Sequence, residues 1–187
     1  MSTTEQVTVG TLLQRTGNPE GVREAGLLPI DLSPDFQRTF EAWNNQMKTR
    51  MIETALNGHM MNPIWTIKVS IDGKLVEEVL DGQHRTKTII SFVNNEFPLN
   101  GSYFIDQNMG QKYNKKYYRD LGEDQEIVRM YKLTVNILHA SFREPEKLAQ
   151  QYELLNRSTK PLNEYEFRKP ILVDFYNIIQ SFIPKFQ

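Results

Sequence analysis

The apolar residues of this chain change their period at one glycine, and that change limits what the chain can fold into. Trp65, Ile67, Val69 and Ile71 alternate with Thr66, Lys68 and Ser70, a spacing of two that predicts a half-buried strand. Asp72-Gly73 supplies hairpin chemistry, and Leu75 to Asp81 returns as the partner strand. From Gly82 the spacing becomes helical, with Ile89, Ile90 and Val93 on one apolar face. At this glycine a strand feeds directly into a helix.

The flanking segments extend this reading. Trp43, Met47, Met51, Ala55 and Leu56 recur at helical spacing, and Asn57-Gly58 stops that helix. Leu27 to Leu32 reads as extended, and Tyr131, Leu133, Val135 and Ile137 alternate as a further strand. Val7 to about Leu13 reads as a short strand and turn after a loose N-terminus, and Gly17 to Gly21 as a loop. Residues 96 to 125 are mixed and turn-rich. Ser141 with Glu144 resembles a capping box before a helix carrying Leu148, Tyr152 and Leu155, and a last apolar stripe runs from Ile171 to Phe182. The expected class is α+β: a small mixed sheet with several flanking helices, in a single domain over residues 1–187.

Composition removes several functions. With no cysteine among 187 residues, disulfide frameworks, thiolate metal sites and cysteine nucleophiles are excluded. Twenty-two Lys and Arg stand against 23 Asp and Glu, so bulk charge does not hold DNA and any anion site must be local. No apolar run is long enough for a membrane span, and the polar start Met1 to Gln6 does not read as a signal peptide. The expectation is an intracellular, cytoplasmic protein.

The richest stretch for chemistry is Leu80-Asp81-Gly82-Gln83-His84-Arg85-Thr86-Lys87-Thr88, at the strand-to-helix junction. Gly82 permits a tight turn, and a first helical turn offers free N–H groups and a favourable dipole to an anion. Arg85, Thr86, Lys87 and Thr88 add a guanidinium, an ammonium and two hydroxyls, so a phosphate can be held from several sides. Asp81 is placed to carry a divalent ion or to orient water. No P-loop spacing occurs, and a capped, solvated junction remains the plain alternative. Lys112, Lys115, Lys116 and Arg119 interleave with Tyr113, Tyr117 and Tyr118, which suits weak nucleic-acid binding or, more simply, an amphipathic surface burying its rings.

The junction resembles the DGQQR or DGQHR signature of the ParB/sulfiredoxin-like superfamily, in particular the branch typified by the S half of GmrSD-type restriction systems. Pro34-Asp35-Phe36-Gln37-Arg38 with Trp43 is similar to the upstream P-x-x-Q-R…W element of that branch. Leu154 to Glu164, reading LLNRSTKPLNE, is similar to its downstream element. The three cover about residues 27–170, which leaves a C-terminal helical stretch from 171 that stops early for the family. The resemblance implies a nucleotide-handling domain serving defence against foreign DNA, with NTP and Mg²⁺ as ligands. It matches Asp81, Gln83 and Arg85 to the motif's functional polar positions; these and His84, which stands in the place of a second Gln, are the catalytic candidates, with Asp81 also the candidate metal ligand. Arg38, Gly82, Arg85, Thr86, Asn156 and Lys160 would hold the nucleotide. Arg157-Ser158-Thr159 stand where glycines are usual in the downstream loop, and no HNH nuclease constellation follows. A separate nuclease domain or subunit and DNA are therefore the expected partners. Metal-dependent NTP hydrolysis is the leading expectation. A ParB-like regulatory module using nucleotide as a switch, and a small-molecule phosphotransferase, are the alternatives. Sulfiredoxin chemistry is excluded because it needs the enzyme's own cysteine.

Overall fold

A computed structural model describes residues 2–34 and 43–138, together with positions 147, 150 and 154, which are helical. Five strands form one mixed sheet: β1 (Ser2–Thr8), β2 (Ile30–Asp31), β3 (Ile64–Ile71), β4 (Lys74–Asp81) and β5 (Lys132–Leu138), in the order β1-β5-β3-β4-β2. The pairs β1/β5 and β3/β4 are antiparallel, and β3/β5 and β2/β4 are parallel. Among the described residues there are six α-helices: α1 (Val9–Arg15), α2 (Pro19–Glu24), α3 (Asn45–Leu56), α4 (Gln83–Val93), α5 (Gln107–Tyr113) and α6 (Gln125–Met130). The class is α+β, as the change of period predicts.

The β3–β4 hairpin turns on Asp72 and Gly73, with φ of 50° and 75°, the two positive angles a type I′ turn requires. One face of the sheet receives α1, α3, α4 and α6, and Val9, Leu12, Ile52, Ile89, Phe92 and Val128 from those helices are buried against Val79, Leu133, Val135 and Ile137. The other face carries a smaller cluster of Ile67, Val69, Leu80 and Leu138. Glu53 of α3 is buried and accepts N–H bonds from Ile105 and Asp106, which ties the turn-rich 96–125 region to the helical layer. No described helix is long and apolar enough to cross a membrane.

Several local expectations change. The N-terminus is an edge strand over Ser2–Thr8, and Val9–Arg15 is helical. β1 lacks apolar alternation because its exposed side is stitched to β5 by polar pairs, Thr4 to Asn136 and Gln6 to Thr134, each at 2.8 Å. The Gly17–Gly21 loop contains the start of α2, where Asn18 caps the Glu20 N–H and Pro19 takes the first helical position. In α4 the fully buried apolar residues are Ile89 and Phe92, whereas Ile90 and Val93 are half-buried. The remaining inward positions are polar: Gln83, Thr86 and Thr88 are all buried.

Candidate functional site

The site starts from the backbone of Gly82. Its φ is 101°, a left-handed conformation that side chains other than glycine rarely tolerate. A Cβ there would also lie 3.0 Å from Ile64 Cγ1. Glycine is thus needed twice, for the turn and for the close approach of β3. The turn sets Asp81 at the end of β4 beside the first turn of α4.

Arg85 reaches back across this turn. Its Nη2 donates to Asp81 Oδ2 at 2.8 Å and to the Pro63 carbonyl at 3.0 Å. The two side chains keep 18% and 32% of their exposure, so the pair stands at the surface of the core rather than inside it. Arg85 Nε is buried and has no hydrogen-bond acceptor among the described residues. A buried guanidinium N–H left unpaired costs on the order of 1–3 kcal/mol, which marks this as a place where an acceptor is missing.

The other polar residues of the motif point elsewhere. Gln83 is buried and its Nε2 donates to the Leu32 carbonyl at 2.6 Å. One turn further along, Lys87 Nζ donates to Ser33 Oγ at 2.7 Å. His84 stacks on Trp43, with ring centroids 5.6 Å apart and planes 18° from parallel. Thr86 is fully buried, and its hydroxyl donates to the Gly82 carbonyl at 3.0 Å within the helix. Thr86 is thus engaged within the helix at a buried position.

These contacts have a shared consequence. Leu32 and Ser33 precede the P-x-x-Q-R element and Trp43 closes it, so both flanks of the stretch carrying Arg38 are held on the first two turns of α4. Sequence reasoning singled out Gln83 and His84 for chemistry but not for this clasp. It counted Lys87 among the cations near the turn but not for its bond to Ser33. Burial pushes the Lys87 ammonium below the usual lysine range, while Asp31 nearby opposes the shift. Arg38, Asn156 and Lys160 lie outside the described residues.

A second polar group sits further back along β4. Glu77, 1% exposed, pairs with Arg15 Nη2 at 2.7 Å and accepts from Thr66 Oγ1 at 3.1 Å. Arg15 in turn donates to the Leu28 carbonyl and to Glu5. This cluster ties β1, α1 and the entry to β2 onto β4, and no sequence pattern revealed it. Among the described residues no group of three His, Asp or Glu side chains could hold a metal ion.

The basic–aromatic segment is a packing element. Tyr113 is buried, and Tyr118 sets its edge on Phe92. Lys112 pairs with Asp124 at 2.7 Å and lies over the Tyr113 ring, and this hydrogen-bonded carboxylate holds the ammonium well above its usual range. Arg119 lies over Tyr117. Lys115 takes φ of 60° in a turn whose backbone, with that of Lys116, bonds to Leu99. Asp120, Glu123 and Asp124 follow within the same stretch and offset the cations.

Fold and site together define a mixed α+β domain with an arginine–carboxylate pair at a glycine-turned strand-to-helix junction. The chain belongs to the GmrSD restriction endonuclease N-terminal domain family, whose model matches residues 22–173. That match spans the upstream element, the junction and the downstream element. No curated protein and no solved structure matches the chain.

Proposed function

We propose that this chain is the nucleotide-handling domain of a DNA-restriction system and hydrolyses an NTP at the Asp81–Arg85 turn. The observation that carries this reading is Arg85, whose buried Nε lacks an acceptor among the described residues at the turn that opens α4. A phosphate oxygen is an acceptor that suits it. The family name supports a role in restriction of DNA. The DGQHR stretch at a strand-to-helix turn supports kinship with ParB/sulfiredoxin-like nucleotide domains.

The chemistry asks for position and charge rather than a covalent nucleophile. Asp81 and Arg85 hold one another at 2.8 Å, and an incoming triphosphate competes for the guanidinium and releases the carboxylate. Asp81 is a partly exposed carboxylate that, among the described residues, is engaged through Oδ2, which fits an ion that takes one protein carboxylate and completes its shell with phosphates and water. Mg²⁺ held there would neutralise charge on the phosphoryl oxygens. Gln83 and His84 act as positioning residues that hold the Arg38 stretch on α4, so that Arg38 adds a second guanidinium. Asn156 and Lys160 close the site from the downstream element. The cutting of DNA belongs to a separate nuclease domain or subunit.

Turnover of the four common NTPs with Mg²⁺, with and without DNA, tests this reading. Asp81→Ala and Arg85→Ala are each expected to lower turnover by about a hundredfold or more while circular dichroism stays unchanged. Wild-type turnover in both variants would overturn it.

A further inference from the structure

A groove of about 650 Å³ lies beside the junction, between the α1–α2 connection, β2, the β3–β4 hairpin and Lys87 of α4. Its volume is that of a mononucleotide-sized ligand site. Pro29, Ile30, Leu32, Ile71 and Val76 supply its apolar walls. Arg23 and Lys74 line it from one side and Lys87 from the helix, with the Asp31 carboxylate close to Lys87 as an acceptor. Arg23 and Lys74 share Glu20 at 3.4 and 2.7 Å, in exposed pairs that an anion can exchange.

The edge of β2 adds a recognition element. Glu77 N–H donates to the Pro29 carbonyl, and β2 runs parallel to β4. In a parallel ladder alternate residues face the partner, so Pro29 and Asp31 turn toward β4. The N–H and carbonyl of Ile30 therefore face the outer side of the sheet, one donor next to one acceptor. The Lys87 ammonium, partly removed from water, is stabilised by an anion brought close to it.

We propose that this groove receives the base and sugar of the nucleotide, the β2 edge at Ile30 reading the base while Lys87 guides the phosphates toward the Asp81–Arg85 turn. Apolar walls suit a base, a backbone donor–acceptor pair and Asp31 suit its polar edge and the sugar hydroxyls, and the rim cations suit the charged tail. The proposal rests on the nucleotide reading given above and adds where the nucleoside lies.

The test is isothermal titration of the four NTPs, with Mg²⁺, into wild type, Lys87→Met, Arg23→Met and Asp81→Ala, with inorganic triphosphate as the probe lacking a nucleoside. Amide hydrogen exchange of the segment 29–33 is followed in parallel. The expected result is affinity at least tenfold weaker in Lys87→Met and several-fold weaker in Arg23→Met, with Lys87→Arg recovering most of the loss. The best-binding NTP should slow exchange at Ile30, and triphosphate alone should not. NTP affinity unchanged in both groove variants but lost in Asp81→Ala, with no protection at Ile30, would overturn the groove and leave the nucleotide reading standing. Failure of wild type to bind any NTP would overturn both.

Discussion

β4 carries two arginine–carboxylate pairs of nearly equal length whose surroundings differ. At Glu77 the Arg15 contact is 2.7 Å, and the side chains are 1% and 7% exposed. There Arg15 also bonds Leu28 and Glu5, and Thr66 takes the second oxygen of Glu77. At Asp81, four residues on, the Arg85 contact is 2.8 Å, but the pair is several times more exposed and Arg85 Nε has no acceptor among the described residues. A closed and fully bonded pair holds elements together and has no capacity left for a ligand. An open pair with an unmet donor is stable enough to be positioned and incomplete enough to be used. Distance alone would not separate the two; burial and the count of satisfied donors do.

The contrast can be broken most forcefully at the closed pair. Glu77→Ala or Arg15→Ala strands a buried charge and is expected to cost about 3–5 kcal/mol in urea unfolding. Asp81→Ala should cost about 1 kcal/mol or less in the same measurement, while removing turnover. Equal costs at the two stations would erase the distinction. Next comes the turn that opens the second pair: Gly82→Ala must hold φ of 101° against Ile64 and is expected to lose about 1–3 kcal/mol, read as a lower urea midpoint. Trp43→Ala removes the stack on His84 and should cost about 0.5–1.5 kcal/mol. Its sharper readout is a raised KM for NTP, since Trp43 closes the stretch that bears Arg38.

The smallest effect is expected at Lys112–Asp124. Its hydrogen bond to Lys112 holds the Asp124 carboxyl below the usual carboxylate range. A carboxyl so depressed contributes stability above its unfolded-state value and loses it as pH falls through the folded one. Because Lys112 is largely exposed, Asp124→Asn should leave the neutral-pH melting temperature almost unchanged and flatten only the decline on acidification.

How far the sequence could be read depended on whether the signal was local. The hairpin at Asp72-Gly73, the glycine turn and α4 were legible because period and turn residues act within a few positions of one another. β1 was not, since an edge strand bonded through Thr4 and Gln6 shows no apolar alternation. The helices α1 and α6 are short and exist by packing rather than propensity. The motif was visible as a string of polar residues, but the Trp43–His84 stack and the Gln83–Leu32 bond join residues about 40 to 50 positions apart and leave no spacing to detect.

What the sequence determined by itself is a tight turn at Gly82, a helix after it, an absence of thiol chemistry and the requirement that any anion site be local. Those follow from single residues and short-range periods, which hold in any fold. Only the tertiary structure decided which polar groups of the motif face inward. It sank Thr86 into the core, set Gln83 and His84 to hold a distant stretch of chain, and left Arg85 with a donor unmet among the described residues. Burial is decided by what packs against a residue, and packing partners come from anywhere in the chain.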